Sequence, residues 1–306
     1  MSEIEVDSQA VLHSKRGEMT YTQYTEPDVR VEEDSVVTSD GVALRIIDFV
    51  PPCDTPDRPM VVFVAGWISL IDGWKDVLRR LTPRYRTLYV ETREKASARL
   101  PRRPARVDFS MSRMSRDIGE ILEGKVSSEK VFCLAGSSVG ATVILDYLSS
   151  ARRQPEIAVL IAPICELIYP FWLPLLIRPV SPSLYTAIKP MLKWYLRNVR
   201  VDKHREPEQV RKYEGTLDAA EPARLKANAF AIKDCSLWEK LPNVTSPVLI
   251  VGAKSDTLHG LDIINRMARL IPDVETEIMS GNRETHSEKM GDLIAHRMNI
   301  LHDMKG

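Results

Sequence analysis

The stretch CLAGSSVGATVILDYL, residues 133–148, decides how this chain is read. A short apolar run ends in Gly136-Ser137-Ser138-Val139-Gly140, and a helix-like apolar pattern begins at once. A turn that tight between a buried strand and a helix forces its central residue into a strained backbone. It also needs small residues two before and two after, so that strand and helix can approach. Such a turn can simply pack the chain. It can also lift the side chain of its central residue, Ser138, off the end of a sheet as a nucleophile. The bare G-x-S-x-G pattern arises by chance. Its strand–turn–helix setting is what singles out Ser138 over its neighbour Ser137.

Working outward, apolar runs of strand length recur at 60–65 (MVVFVA), 130–135, 157–161 and 247–252, and 87–91 and 274–279 read as further short strands. Helical apolar spacing fills 72–85, 111–122, 141–149, 261–271 and 287–302. Continuous apolar runs suit strands buried on both faces. Their alternation with helices predicts an α/β fold with a mostly parallel, doubly wound sheet. Residues 35–50 read as a hairpin around Ser39-Asp40-Gly41. Residues 1–30 read as a loose N-terminal arm. The core is expected over 31–164 and 241–306, with a helical cap or lid inserted at 165–240.

Composition narrows the function classes. The 306 residues carry 42 basic and 42 acidic side chains, so no whole-molecule basic field for nucleic acid exists. Four cysteines, Cys53, Cys133, Cys165 and Cys235, form no CxxC pair and read as free thiols of a reducing compartment. The acidic, polar start lacks the basic and apolar regions of a signal peptide. The most apolar segment, 165–177, is interrupted by Pro170 and Pro174 and falls short of the roughly 20 residues a bilayer span needs. These features set the expectation of a cytoplasmic protein.

A serine hydroxyl is a poor nucleophile until a base takes its proton, and the base needs a carboxylate to orient it. Both should follow the serine, acid first, each just past a later strand. Asp256 follows the run at 247–252, and His286 follows the run at 274–279. Either residue could instead cap a turn or helix. His259 is the alternative base and Glu166 the alternative acid. The oxyanion needs two backbone donors. One is the N–H of Val139, the residue after the nucleophile. The other falls in Ala65-Gly66-Trp67-Ile68-Ser69, where Trp67 is the candidate.

With Ala65-Gly66-Trp67, the GSSVG turn, Lys254-Ser255-Asp256 and Glu284-Thr285-His286 in this order, the chain resembles the α/β-hydrolase fold family over about residues 35–302. The resemblance implies a serine hydrolase acting through an acyl-enzyme, with no metal and no organic cofactor. It also implies that the segment before the acid-bearing strand caps the site. One departure is Ala65, where many members have histidine. An acyltransferase would use the same residues, and a non-catalytic binding protein could keep the fold.

Phe171, Trp172 and Trp194 in the expected lid favour an ester with a hydrophobic acyl or aromatic group. The same residues could merely glue the lid down, or make peripheral contact with a membrane. The loop at 93–106 holds Arg93, Lys95, Arg99, Arg102, Arg103 and Arg106. It reads either as solvated surface or as a site for a phosphate, a carboxylate or anionic lipid.

Overall fold

A computed structural model describes residues 21–166, 182–195, 197–198, 207–256 and 260–303. One eight-stranded sheet organises them: β1 (Arg30–Val37), β2 (Ala43–Val50), β3 (Met60–Val64), β4 (Thr87–Val90), β5 (Phe132–Ser137), β6 (Ile157–Ile161), β7 (Val248–Ala253) and β8 (Val274–Met279). Their spatial order is β1-β2-β4-β3-β5-β6-β7-β8. β1 and β2 are the expected hairpin, and Gly41 supplies the positive φ (83°) of its turn. β2 meets β4 antiparallel, and every later pairing is parallel.

The uninterrupted apolar runs follow from burial on both faces. Along β3, Val61 and Phe63 enter one apolar layer and Val62 and Val64 the other. Helices α1 (Lys75–Leu81) and α8 (Glu288–Asp303) close the first layer through Val77, Leu78, Met290 and Ile294. Helices α2 (Met111–Lys125), α3 (Val139–Leu148) and α7 (Leu261–Ala268) close the second. Full burial of each such side chain contributes about 1.5–3 kcal/mol. α1 ends at Leu81 rather than near 85, because Pro83 removes a helical N–H and restricts Thr82 before it.

The sequence reading ends the N-terminal arm at residue 30, yet its described part, from Tyr21 on, packs against the core. Tyr24 is 1% exposed and its hydroxyl donates to Asp72. The ring of Tyr21 meets Phe49 edge-on at 6.2 Å.

Three helices occupy the described part of the insertion between β6 and β7: α4 (Pro182–Tyr195), α5 (Pro207–Ala219) and α6 (Pro222–Ile232). The two ends of the insertion meet where Glu166 bridges Ser236 and Leu237 N–H donates to Cys165 O (2.9 Å). α6 is tied to the loop after β4. Arg224 donates to the carbonyls of Lys95 and Ala98 (2.5 and 2.7 Å), and Asn228 donates to Phe109 O (3.1 Å).

That loop differs from a solvated arginine run. Arg93 is fully buried, with Nε and a terminal nitrogen on Asp117 (2.7 and 2.6 Å) and both terminal nitrogens on Asp40 (2.8 and 3.1 Å). Its charge is spent on pinning the hairpin turn to α2, so Arg93 is not available to bind an anionic ligand. Arg99, Arg102, Arg103 and Arg106 remain exposed. No described helix is long and apolar enough to cross a membrane.

Candidate active site

The six parallel strands β3 to β8 bring their C-terminal ends to one edge of the sheet, where ligands of open α/β sheets gather. Ser138 stands there between β5 and α3, with φ 49° and ψ −121°. Only three non-glycine residues among those described have positive φ: Ile68, Ser138 and Ala162. They sit just past β3, β5 and β6, three neighbouring strands, so backbone strain concentrates on this edge. Ile68 is β-branched, for which a φ of 47° is a genuine outlier.

The glycines explain how the turn is built. A Cβ on Gly140 would lie 2.4 Å from Val64 O and 2.6 Å from Ala65 O. A Cβ on Gly136 would meet Ile144 Cδ1 at 2.6 Å and Ala141 N at 3.1 Å. Position 140 must therefore be bare, and a side chain at 136 would have to displace the end of Ile144 and crowd the start of α3. Ser138 N–H donates to Ile161 O (2.9 Å), and Ser138 O accepts from Thr142 N–H (3.0 Å). The turn is thus held between β6 and α3. Ser137, the rival serine, ends β5 and is 6% exposed.

The loop after β3 lies directly against this turn. The Cβ position of Gly66 is 3.2 Å from Ser137 O and 3.5 Å from Ser138 Cβ. Ser69 N–H donates back to Gly66 O (3.0 Å), which closes a tight turn around Trp67 and Ile68. The N–H of Trp67 meets no acceptor among the described residues. Val139 is the first residue of α3, where N–H groups lack intrahelical partners.

His286 ends a short 3-10 turn, Glu284–His286, before α8. Its Nδ1 lies 3.0 Å from Thr285 Oγ1 and 3.2 Å from Asn282 O. The Thr285 hydroxyl already donates to that carbonyl (2.8 Å). The Asn282 carbonyl can only accept, so a proton on Nδ1 suits this contact, and that tautomer would offer Nε2 as the base. The imidazole stacks on Trp74 at 4.3 Å and 28°, and Trp74 Nε1 donates to Ser69 Oγ (3.1 Å). One buried indole thus touches both the histidine and the loop after β3. In the sequence, Trp74 reads only as one of the apolar positions of a helix.

Asp256 follows β7 and is half-buried. Its loop rests on the loop of His286: Lys254 N–H donates to Met279 O (2.9 Å), and Asn282 N–H donates to Ser255 Oγ (3.2 Å). Of the alternatives, Glu166 accepts from Trp238 Nε1 (2.7 Å), and His259 lies outside the described residues. Phe171 and Trp172 also lie outside them. Trp194 is 61% exposed and lines an open groove on α4 with Lys193 and Arg197. Burial pushes the Cys133 and Cys165 thiols up to about 12, so neither competes as a thiolate. No cluster of three metal-ligating side chains occurs among the described residues.

No protein-family model and no curated protein sequence matches the chain. Solved structures do. An esterase from Exiguobacterium antarcticum is similar at 19% identity and TM-score 0.68, covering 88% of this chain and 100% of its own. A thermophilic esterase from Thermogutta terrifontis is similar at 16% identity and TM-score 0.66, over 89% and 99%. The enol-lactonase from Burkholderia xenovorans LB400 is similar at 15% identity and TM-score 0.69, over 88% and 99%. The likeness spans nearly the whole of each neighbour and, at these identities, concerns architecture. With its mostly parallel eight-stranded sheet and its strained strand–serine–helix turn, the chain has the α/β-hydrolase fold.

Proposed function

We propose that the protein is a serine hydrolase that cleaves a carboxylic ester with a hydrophobic acyl or aromatic group. The observation that carries the reading is the backbone of Ser138. A serine held at φ 49°, with bare glycine on either side and Gly66 against it, has no evident structural use for that strain. In this reading Nε2 of His286 takes the Ser138 proton as Oγ attacks the ester carbonyl. The N–H groups of Val139 and Trp67 receive the oxyanion. The imidazolium returns its proton to the leaving alcohol, and Asp256 stabilises that charged form. Water, activated by His286, then releases the acid and restores Ser138.

The hydrophobic preference is supported by the apolar composition of the insertion and by Leu184, Met191 and Trp194, exposed on one face of α4. The test is a series of p-nitrophenyl esters of rising acyl length, assayed with the wild type, Ser138→Ala and His286→Ala. Turnover that grows with chain length and vanishes in both variants supports the reading. Equal turnover in wild type and Ser138→Ala would refute it.

A further inference from the structure

The turn after β3 has a second side. Residues 68–70 form one wall of a cavity of about 140 Å³, and Glu91, Glu94, Lys95 and Ser97, on the chain leaving β4, form another. Arg45 of β2 also lines it. The charges there do not all match. Arg45 is engaged by Glu33 (2.8 Å) and by Glu91 (3.5 Å). Glu94 is 2% exposed; its Oε1 accepts from Thr92 Oγ1 (2.7 Å) and Ile68 N–H (3.4 Å), while Oε2 has no partner. Lys95 is 7% exposed, and its Nζ has no hydrogen-bond acceptor, although Glu91 and Glu94 act on it through space. Ser97 Oγ is buried and unpartnered as well. A buried ammonium without a partner is costly. Its burial accordingly pushes the Lys95 pKa down, with Glu91 and Glu94 acting against that shift.

We propose that this cavity binds a carboxylate carried by the ester substrate, with Lys95 Nζ as its counter-charge and Ser97 Oγ as a second donor. The inference rests on the esterase reading and deepens it. Three observations select this ligand. The unmet groups are donors on Lys95 and Ser97 with a lone acceptor on Glu94, which suits a carboxylate beside a hydroxyl or N–H of the same molecule. Glu91 and Glu94 flank the cavity, so they repel a phosphate dianion more strongly than a carboxylate monoanion. The cavity wall continues the turn whose Gly66 lies against Ser138, so the cavity and the serine share one loop at one edge of the sheet. The substrate class is then a half-ester: an ester at one end, an apolar middle, and a carboxylate at the other.

The experiment has a binding arm and a kinetic arm. Glutarate is titrated calorimetrically into Ser138→Ala and into Ser138→Ala/Lys95→Met. Monomethyl and dimethyl glutarate are compared as substrates of the wild type, Lys95→Met and Ser97→Ala. Loss of a charge-assisted hydrogen bond predicts about 10- to 100-fold weaker glutarate binding without the Lys95 amine. The preference in kcat/KM for the half-ester over the diester should fall by about the same factor in Lys95→Met, and by about 3- to 10-fold in Ser97→Ala. Ser97→Ala keeps the test decisive if the lysine variant does not fold. Absent glutarate binding, or a half-ester preference indifferent to both substitutions, overturns the inference. Lys95-dependent glutarate binding without hydrolysis of either ester would sink the esterase reading and leave the cavity standing.

Discussion

Replacing Gly140 by alanine tests how the serine turn is built. The new Cβ would stand 2.4 Å from Val64 O and 2.6 Å from Ala65 O, about 1 Å inside ordinary van der Waals contact. Both obstacles are backbone carbonyls at the end of the central strand β3, so neither can rotate away. Helix α3 and β3 must part by several tenths of an ångström or more. Overpacking of this kind costs about 1–3 kcal/mol, and two fixed carbonyls put Gly140→Ala at the upper end. The displacement falls on Ala65 and so on Gly66 and Trp67. A misplacement near 1 Å at a reacting site can cost about 100-fold in rate. Urea unfolding measures the first effect, and the rate of Ser138 labelling by a fluorophosphonate measures the second. Gly124→Ala is the control. That glycine is in α2 with nothing within 4 Å of a Cβ, and the change should stabilise by about 0.5–1 kcal/mol. A Gly140→Ala protein within about 0.5 kcal/mol of wild type, labelled at the wild-type rate, would refute the close approach of α3 to β3.

Other predictions follow from the same contacts. Arg93→Met leaves the buried Asp117 without one of its two cationic partners and should lower unfolding stability by about 3–5 kcal/mol in urea; a loss under about 1 kcal/mol would show that the cluster does not bind the hairpin turn to α2. The Arg93 guanidinium holds the Asp40 carboxyl below the usual range. A lowered folded pKa stabilises fully above the unfolded value, near 3.9, and that contribution is lost as pH falls from there through the lowered folded value. Wild type should therefore lose more of its melting temperature between pH 5 and 2 than Asp40→Asn, and parallel curves would contradict this. Trp74→Phe keeps a ring against His286 but drops the hydrogen bond to Ser69. Turnover should fall about 3- to 10-fold and recover no further in Trp74→Leu, which loses the stack as well; unchanged kcat with a changed melting temperature would make Trp74 purely structural.

Much of the architecture was legible because burial on both sheet faces writes continuous apolar runs. Residues 60–65 and 157–161 could hardly be anything else. The serine turn was legible for a steric reason, since only glycine fits at 140 and a side chain at 136 would crowd Ile144. What escaped the sequence depends on partners far along the chain. Arg93 looked solvated in an arginine-rich loop, and nothing local announces that Asp40 and Asp117 converge on it. The stack of Trp74 on His286 joins the first helix to the last loop. It hides behind a tryptophan that helical spacing already explains. Lys95 and Ser97 were submerged in the same charged run, although a lysine leaving the C-terminal end of a strand lies on the ligand-binding edge. The left-handed backbones of Ile68 and Ala162 carry no signal in residue type, since neither residue favours that region.

The most direct test of the central claim is covalent. The wild type and Ser138→Ala are exposed to a fluorophosphonate probe, and mass spectrometry locates the adduct. The account predicts one adduct on Ser138, absent from Ser138→Ala and strongly slowed in His286→Ala. A folded wild type that takes no label, or carries it on Ser137 or another residue, would contradict the claim that the strained turn presents an activated serine.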